Sequence, residues 1–217
     1  MKKLVIVLMI IIFFVSSILN INIQNKDSDS RDKLLNSISR KLIRFHVIAN
    51  SDSEDDQALK IKVKDAIIDY ISPKLSNSQS INQSREILKS YDKEILKLAS
   101  GIIKKNGYSY SVASTLGREN FPDKNYGNIT LPQGEYEAYR VVIGSGKGKN
   151  WWCVMFPPLC FVDETRGQVS VKETEKQMKK VLSDDEYNEV NNEGDKEVKI
   201  RFKTLELVED FIDKIKS

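Results

Sequence analysis

The stretch Gly134–Asp163, GEYEAYRVVIGSGKGKNWWCVMFPPLCFVD, is the most informative part of this 217-residue chain. It contains both tryptophans, both cysteines and the Pro157-Pro158 pair. Within it, Glu135–Ile143 and Trp151–Phe156 are rich in apolar, β-branched and aromatic residues, which predicts two strands. The glycine-rich GSGKGKN between them predicts a flexible tip, so the two strands are predicted to form a hairpin.

A second block, Arg44–Ala66, reads RFHVIANSDSEDDQALKIKVKDA. Apolar and polar side chains alternate in Leu42–Ile48, which predicts a strand, and the polar run that follows ends it. A helix is predicted next, because carboxylates crowd its first turn, where they face the positive end of the helix dipole. Two residue pairs fit a capping box at this point: Ser51 with Glu54, and Ser53 with Asp56.

The remaining elements follow from apolar periodicity. The predicted helices are one closed by Pro73, one from about Ser80 to an Asn106-Gly107 cap, one around Glu173–Leu182, a short one after Ser183, and one over Thr204–Ile215. The predicted strands include Tyr108–Val112 and Val198–Phe202, with a loop over Asn120–Gly127. This mixed order favours an α+β fold, in which a mixed or antiparallel sheet packs against several amphipathic helices.

The N-terminus predicts export. Lys2 and Lys3 precede the uninterrupted apolar run Leu4–Val15, which is the layout of a secretory signal. We therefore divide the chain into a signal peptide or membrane anchor over 1–23, a polar linker over 24–40, and a single α+β domain over 41–217. Cleavage of the segment and its retention as an anchor both remain open.

The charge pattern argues against nucleic acid as a partner. The chain has 34 basic and 31 acidic residues, a net charge of +3, and the two signs are interspersed. That pattern is typical of a solvated surface and does not predict nucleic-acid binding.

No cofactor or metal site is predicted. The GSGKGKN loop lacks the first glycine of a phosphate-binding loop, has Asn150 where Ser or Thr is required, and joins two strands. The acids around Asp52 lack the glycine and distal glutamate of a calcium loop. One histidine and two cysteines do not furnish a typical zinc set.

The two cysteines, Cys153 and Cys160, allow three interpretations. In an exported protein they could form a disulfide that closes a short loop. Because the surroundings are apolar, buried free thiols are also compatible with the pattern. The third is catalytic: Cys153 with His46, oriented by Asn50, would make an exported cell-wall thiol hydrolase.

The adjacent tryptophans indicate a binding surface. Neighbouring residues of a strand point to opposite faces, so one of Trp151 and Trp152 is expected in the core and the other at the surface. An exposed aromatic side chain beside a basic loop is typical of a binding hot spot. The alternative is that C-terminal helices cover both rings.

The blocks Gly134–Asp163 and Arg44–Ala66 resemble the signature of the stage II sporulation protein R family. They cover roughly a quarter of the chain, and a looser likeness runs from about Leu42 to the C-terminus. The resemblance implies a signalling protein made in the forespore and exported into the space between the two membranes. There it would activate a membrane-embedded aspartic protease of the mother cell, which processes the precursor of sporulation sigma factor E.

This resemblance implies a protein that binds and is not an enzyme. It does not map the contact residues, so we predict them from exposure and clustering. The candidate partner-binding residues are Trp152, Lys147, Lys149, Arg44, Asp52 and Glu54.

Overall fold

A four-stranded mixed sheet organises the part of the chain that the computed structural model describes, residues 31–160 and 171–192. The strands are β1 (Ile43–Ile48), β2 (Val112–Phe121), β3 (Lys124–Tyr126), β4 (Ile129–Leu131), β5 (Gly134–Ile143) and β6 (Asn150–Phe156). In the main sheet the order is β2-β5-β1-β6, while β3 and β4 form a separate two-stranded sheet. The α+β class predicted from the sequence is confirmed.

The predicted hairpin between β5 and β6 is wrong. Strand β1 lies between them, parallel to β5 and antiparallel to β6, and β5 pairs on its other side with β2. The GSGKGKN segment therefore crosses the end of β1 instead of forming a tight turn. A crossing over one strand spans two strand spacings, about 10 Å, which a seven-residue segment easily reaches.

The described helices are α1 (31–39), α2 (Glu54–Leu75), α3 (Ile81–Ser90), α4 (Asp92–Lys105), α5 (Val171–Met178) and α6 (Asp184–Val190). The second capping alternative is the one observed, because the Ser53 hydroxyl accepts a hydrogen bond from the backbone N–H of Asp56. Pro73 lies inside the last turn of α2, which continues to Leu75. The single helix predicted from Ser80 is two helices that meet at Tyr91.

Helix α1 falls within the range predicted as linker, and it packs on the domain. Ile38 is fully buried in the core. The buried Glu186 carboxylate of α6 accepts hydrogen bonds from Ser37 at 2.7 Å and from Lys41 at 2.6 Å. Burial alone would raise the pKa of Glu186, but these bonds and that from the Ser183 N–H outweigh it and lower the pKa to about 2.

The two faces of the sheet have different partners. On the helical face, Asp92 of α4 accepts hydrogen bonds from Ser114 at 2.5 Å and Tyr139 at 2.7 Å, and Lys64 of α2 lies 4.5 Å from the Trp151 ring. We name the opposite side the aromatic face. It carries Arg44, His46, Phe121, Tyr136 and Trp152.

Several predicted segments lie outside the described residues: the signal or anchor segment 1–23, the first part of the linker, the strand over 198–202 and the helix over 204–215. Within residues 31–160 and 171–192, no helix is long and apolar enough to cross a membrane.

Candidate functional site

Two loops meet where β1 ends and β6 begins. We name residues 49–53 and 144–149 together the loop junction. Five hydrogen bonds join the loops: Gly148 N to Ala49 O (2.9 Å), Lys147 N to Asn50 O (3.2 Å), Ser145 Oγ to Asn50 O (2.7 Å), Ser145 N to Asn50 Oδ1 (2.9 Å) and Lys149 N to Asp52 Oδ1 (2.7 Å). The glycine-rich segment is therefore fixed along its length and is not the flexible tip predicted from its composition.

Glycines are required in this junction because the two backbones touch. A Cβ built on Gly148 would clash with the carbonyl oxygen of Ser51, and would lie 2.6 Å from its carbonyl carbon and 2.9 Å from the Cβ of Ala49. At Gly144 a Cβ would clash with the Asn50 side chain, and φ is +58°. The glycine spacing thus serves close backbone approach, which glycine alone permits.

The buried carboxylate of Asp56 holds the first loop of the junction in place. One oxygen of Asp56 accepts hydrogen bonds from Ser51 Oγ at 2.6 Å and from Asn50 Nδ2 at 2.9 Å. These two bonds lower the pKa of Asp56 and outweigh the opposing effect of burial. Asp56 therefore fixes the polar loop in the position from which Asn50 holds Ser145.

The junction continues onto the aromatic face. A Cβ on Gly146 would lie 2.6 Å from the Val142 side chain and 3.9 Å from that of Ile48, so this loop covers the end of the aromatic face. One row further along the strands, Arg140, His46 and Trp152 are register partners. Their side chains stand next to one another, because directly paired residues share a face of the sheet.

His46 and Trp152 form a stack. Their ring centroids lie 4.9 Å apart with an interplanar angle of 3°, and Phe121 meets both rings edge-on. His46 is 3% exposed. Burial, and then the positive charges of Arg140 and Arg44, lower the pKa of His46 to about 4. The imidazole is therefore neutral at physiological pH.

Arg44 lies in an aromatic cage on the same face. It is fully buried, and its guanidinium carbon lies 4.2 Å from the centroid of Phe121, 4.7 Å from Tyr136 and 5.7 Å from Tyr126. Its Nη2 donates to Tyr126 Oη at 2.8 Å. Cation–π attraction offsets part of the cost of burying the charge.

The predicted contact residues separate into two groups. Lys147, Lys149 and Asp52 are exposed in the loop junction, and the backbone N–H of Lys149 donates to Asp52 Oδ1. Glu54 is exposed beside the junction, at the first position of α2. Trp152 is partly exposed on the aromatic face. Arg44 was predicted from expected exposure, but it is buried in its cage and offers no surface to a partner.

The two tryptophans face opposite sides of the sheet as predicted, but both are partly exposed, so neither is enclosed in the core as was expected of one of them. Trp151 packs against Phe45 on the helical face, at a centroid distance of 5.8 Å, whereas Trp152 is on the aromatic face. The prediction missed the residues that build the junction from beneath, above all Asp56, Ser51 and Asn50. Glycine at every second position of GSGKGK was the available signal, because such spacing is typical of close backbone approach.

The Cys153–His46 pair of the hydrolase hypothesis is not formed. Cys153 pairs across the strands with Phe45, and Trp152 pairs with His46. Because adjacent residues alternate between faces, the thiol position and the imidazole lie on opposite sides of the sheet. The structure also joins Cys153 to Cys160 in a buried disulfide, with Cα atoms 5.8 Å apart.

Replacing both Cys153 and Cys160 with alanine is expected to lower the free energy of unfolding by about 2–3 kcal/mol, because the unfolded chain loses its short closed loop. Urea unfolding with and without dithiothreitol measures this. The reductant should destabilise the wild type and leave the double variant unchanged. Equal stability of the wild type and the variant under oxidising conditions would show that the pair is not bonded in solution.

Fold and site together define an α+β domain with an interlocked loop junction and a cationic, aromatic sheet face. Comparison with known proteins gives the family. The family model of Stage II sporulation protein R matches residues 39–166. A Stage II sporulation protein R of Bacillus subtilis (strain 168) is 35% identical over 222 residues, covering 97% of this chain and 99% of that protein. No solved structure matches. The chain belongs to the stage II sporulation protein R family.

Proposed function

We propose that this chain is an exported sporulation signal that binds and activates a membrane-embedded aspartic protease, which then processes the pro-sigma-E precursor. It is made in the forespore, carried across the membrane by residues 4–23, and acts in the intermembrane space. Family membership and the hydrophobic N-terminal segment support this proposal.

The observation that carries the proposal is that two blocks distant in the sequence lie together in the fold and are hydrogen-bonded to each other. Arg44–Ala66 and the described part of Gly134–Asp163 supply the two halves of the loop junction. The interlock holds the backbone of Lys147 and Lys149 and the side chain of Asp52 in place at the surface, and Glu54 follows directly in the first turn of α2. A rigid, charged rim next to a partly exposed tryptophan suits recognition, because a preorganised surface loses little conformational entropy on binding.

Activation by binding needs no reacting group in this chain. A partner that binds the active or dimeric state of a protease more tightly than the resting state shifts the protease toward activity. The hydrolase alternative is not favoured, since Cys153 and His46 lie on opposite faces of the sheet.

Trp152→Ala is expected to raise the amount of protein needed for half-maximal precursor cleavage by about tenfold or more, because a central aromatic hot spot carries about 2 kcal/mol or more of binding energy. The measurement adds purified full-length chain to membranes that carry the protease and scores cleavage of the precursor.

The matched control is Ile61→Ala, which removes an exposed apolar side chain from α2 and should leave activation unchanged. Urea unfolding confirms that the Trp152 variant is folded. A folded Trp152→Ala protein with wild-type potency would remove this residue from the proposed interface.

A further inference from the structure

The aromatic face concentrates polar atoms that lack partners. Eight buried side-chain nitrogen or oxygen atoms in the described residues have no hydrogen-bond partner, and five of them lie here. The five are Arg44 Nε and Nη1, His46 Nδ1 and Nε2, and Arg140 Nε. Buried polar atoms of folded proteins almost always have partners, so a cluster of exceptions needs a specific explanation.

The cluster is rich in positive charge. Arg140 pairs in register with His46, and Arg44 is two residues from His46 on the same face. In the described part of the chain, the carboxylate bonded to this cluster is that of Glu119, whose Oε1 lies 3.1 Å from Arg140 Nη1. Within the described residues, a cluster with two guanidinium groups is therefore bonded to one acid, through Arg140. A buried charge is costly unless it is paired, and the aromatic rings around Arg44 carry no countercharge.

We propose that Arg44, His46 and Arg140 form a carboxylate-binding site. A guanidinium matches a carboxylate in shape and charge, and its N–H groups donate two parallel hydrogen bonds. The neutral His46 can add one N–H donor. This inference goes beyond the proposed function, because it concerns the chemistry of a ligand and not the signalling outcome.

Access to the site is from the side of Arg140 and Trp152. The Arg140 side chain is 33% exposed and Trp152 is partly exposed, whereas Arg44 and His46 are buried behind them. An incoming carboxylate therefore meets Arg140 first and His46 next. Arg44 contributes through its positive charge at the inner end of the site.

The carboxylate has two possible sources with the same chemistry. One is an acidic side chain of a partner protein. The other is this chain, since residues 193–217 hold seven Asp and Glu residues. The last described residue, Asn192, donates to Asn128 O at 2.7 Å and to Thr130 at 2.6 Å, close to the hairpin that carries Tyr126. The test must separate these sources.

His46 is the only histidine of the chain, so its imidazole NMR signals report on this site alone. The experiment titrates full-length chain in detergent micelles with N-acetyl-triglutamate, and with N-acetyl-triglutamine as the uncharged control. The charged groups that act on His46 are Arg44 and Arg140. Around them, Glu119 is bonded to Arg140, and Tyr126 and Tyr136 lie against Arg44. The positive charges of Arg140 and Arg44 lower the pKa of His46, so a bound carboxylate beside the imidazole is the expected cause of a rise in that pKa.

The expected result is a saturable shift of the His46 signals and a raised His46 pKa with triglutamate only. Arg140→Gln should weaken this binding by about tenfold or more, as expected for loss of a charge-assisted hydrogen bond. The control Arg118→Gln changes an arginine that pairs with Glu135, and it should bind like the wild type. Where the parent chain itself binds triglutamate, equal binding by its Arg140→Gln and Arg118→Gln variants would overturn the site.

A second part of the experiment uses a variant in which the seven Asp and Glu residues of 193–217 are replaced by Asn and Gln. If this variant binds triglutamate and the wild type does not, the site is confirmed and its ligand comes from the same chain. If the wild type binds, the site is open to an acid of a partner. If neither protein shifts the His46 signals, the proposal is wrong.

Discussion

Gly148→Ala is expected to lower the free energy of unfolding by about 3 kcal/mol, the upper range for forcing an extra carbon into a packed site. The added Cβ would meet the backbone carbonyl group of Ser51, which has no rotamer by which to move aside. The loops must separate, and this breaks the bonds from Gly148 N to Ala49 O and from Lys147 N to Asn50 O. Urea unfolding of the variant and the wild type measures the loss.

The matched control for this substitution is Gly101→Ala. No atom lies within 4 Å of a Cβ built at Gly101, which is inside α4. Alanine there should raise the free energy of unfolding by about 0.5–1 kcal/mol, since alanine is the better helix former. If Gly148→Ala and Gly101→Ala had the same small effect, the loop junction would not be the rigid contact described above.

His46 is expected to make the protein less stable in mild acid. Its pKa is lowered from 6.5 to about 4 by burial and by two arginines, so the unfolded chain takes up the proton first. The stability from this difference is present in full above pH 6.5 and is lost as the pH falls to about 4. A difference of this size corresponds to about 3 kcal/mol.

The measurement is the free energy of unfolding at several pH values between 7.5 and 3. His46→Phe keeps a ring against Trp152 and should flatten the curve between pH 6.5 and 4. Glu186→Gln is the control, because the lowered pKa of Glu186 acts only below about pH 4.5, where protonation removes its bond to Lys41. A wild-type curve that is flat between pH 6.5 and 4 would contradict the burial of His46 beside two positive charges.

Local features of the fold were predictable from the sequence. The start of α2 depends on Ser53 and Asp56, which are neighbours in the chain, and α6 begins with a capping box at Ser183 as its residue pattern indicates. The end of α4 at Asn106 and Gly107 was predicted for the same reason. In each case the interacting groups lie within four residues of one another, so a local sequence pattern can predict the interaction.

Non-local features were not predictable in the same way. Insertion of β1 between β5 and β6 pairs it with residues 94 positions away in β5 and 102–113 positions away in β6, and the GSGKGKN sequence does not indicate which strand lies between them. The break at Tyr91 interrupts a helix without interrupting the apolar stripe. The next residue, Asp92, bonds to Ser114 and Tyr139 of the sheet, which are contacts that no local sequence pattern indicates. The strands β3 and β4 have three residues each, too few to show alternation.

The same division between predictable local features and unpredictable non-local ones applies to the candidate site. The opposite orientation of Trp151 and Trp152 follows from strand geometry alone and was predicted. The burial of Arg44 was not, because an arginine at the start of a strand usually reaches solvent. It is buried here because Phe121, Tyr126 and Tyr136 close around it, and β2, β3 and β5 supply these rings.

The proposed function is signalling by contact with a membrane-embedded protease. The most direct test adds purified full-length chain to membranes containing the aspartic protease and the pro-sigma-E precursor, with protease-free membranes in parallel. We predict precursor cleavage that depends on both the added chain and the protease. Cleavage in the protease-free membranes, or no cleavage with a folded chain and a competent protease, would contradict the claim.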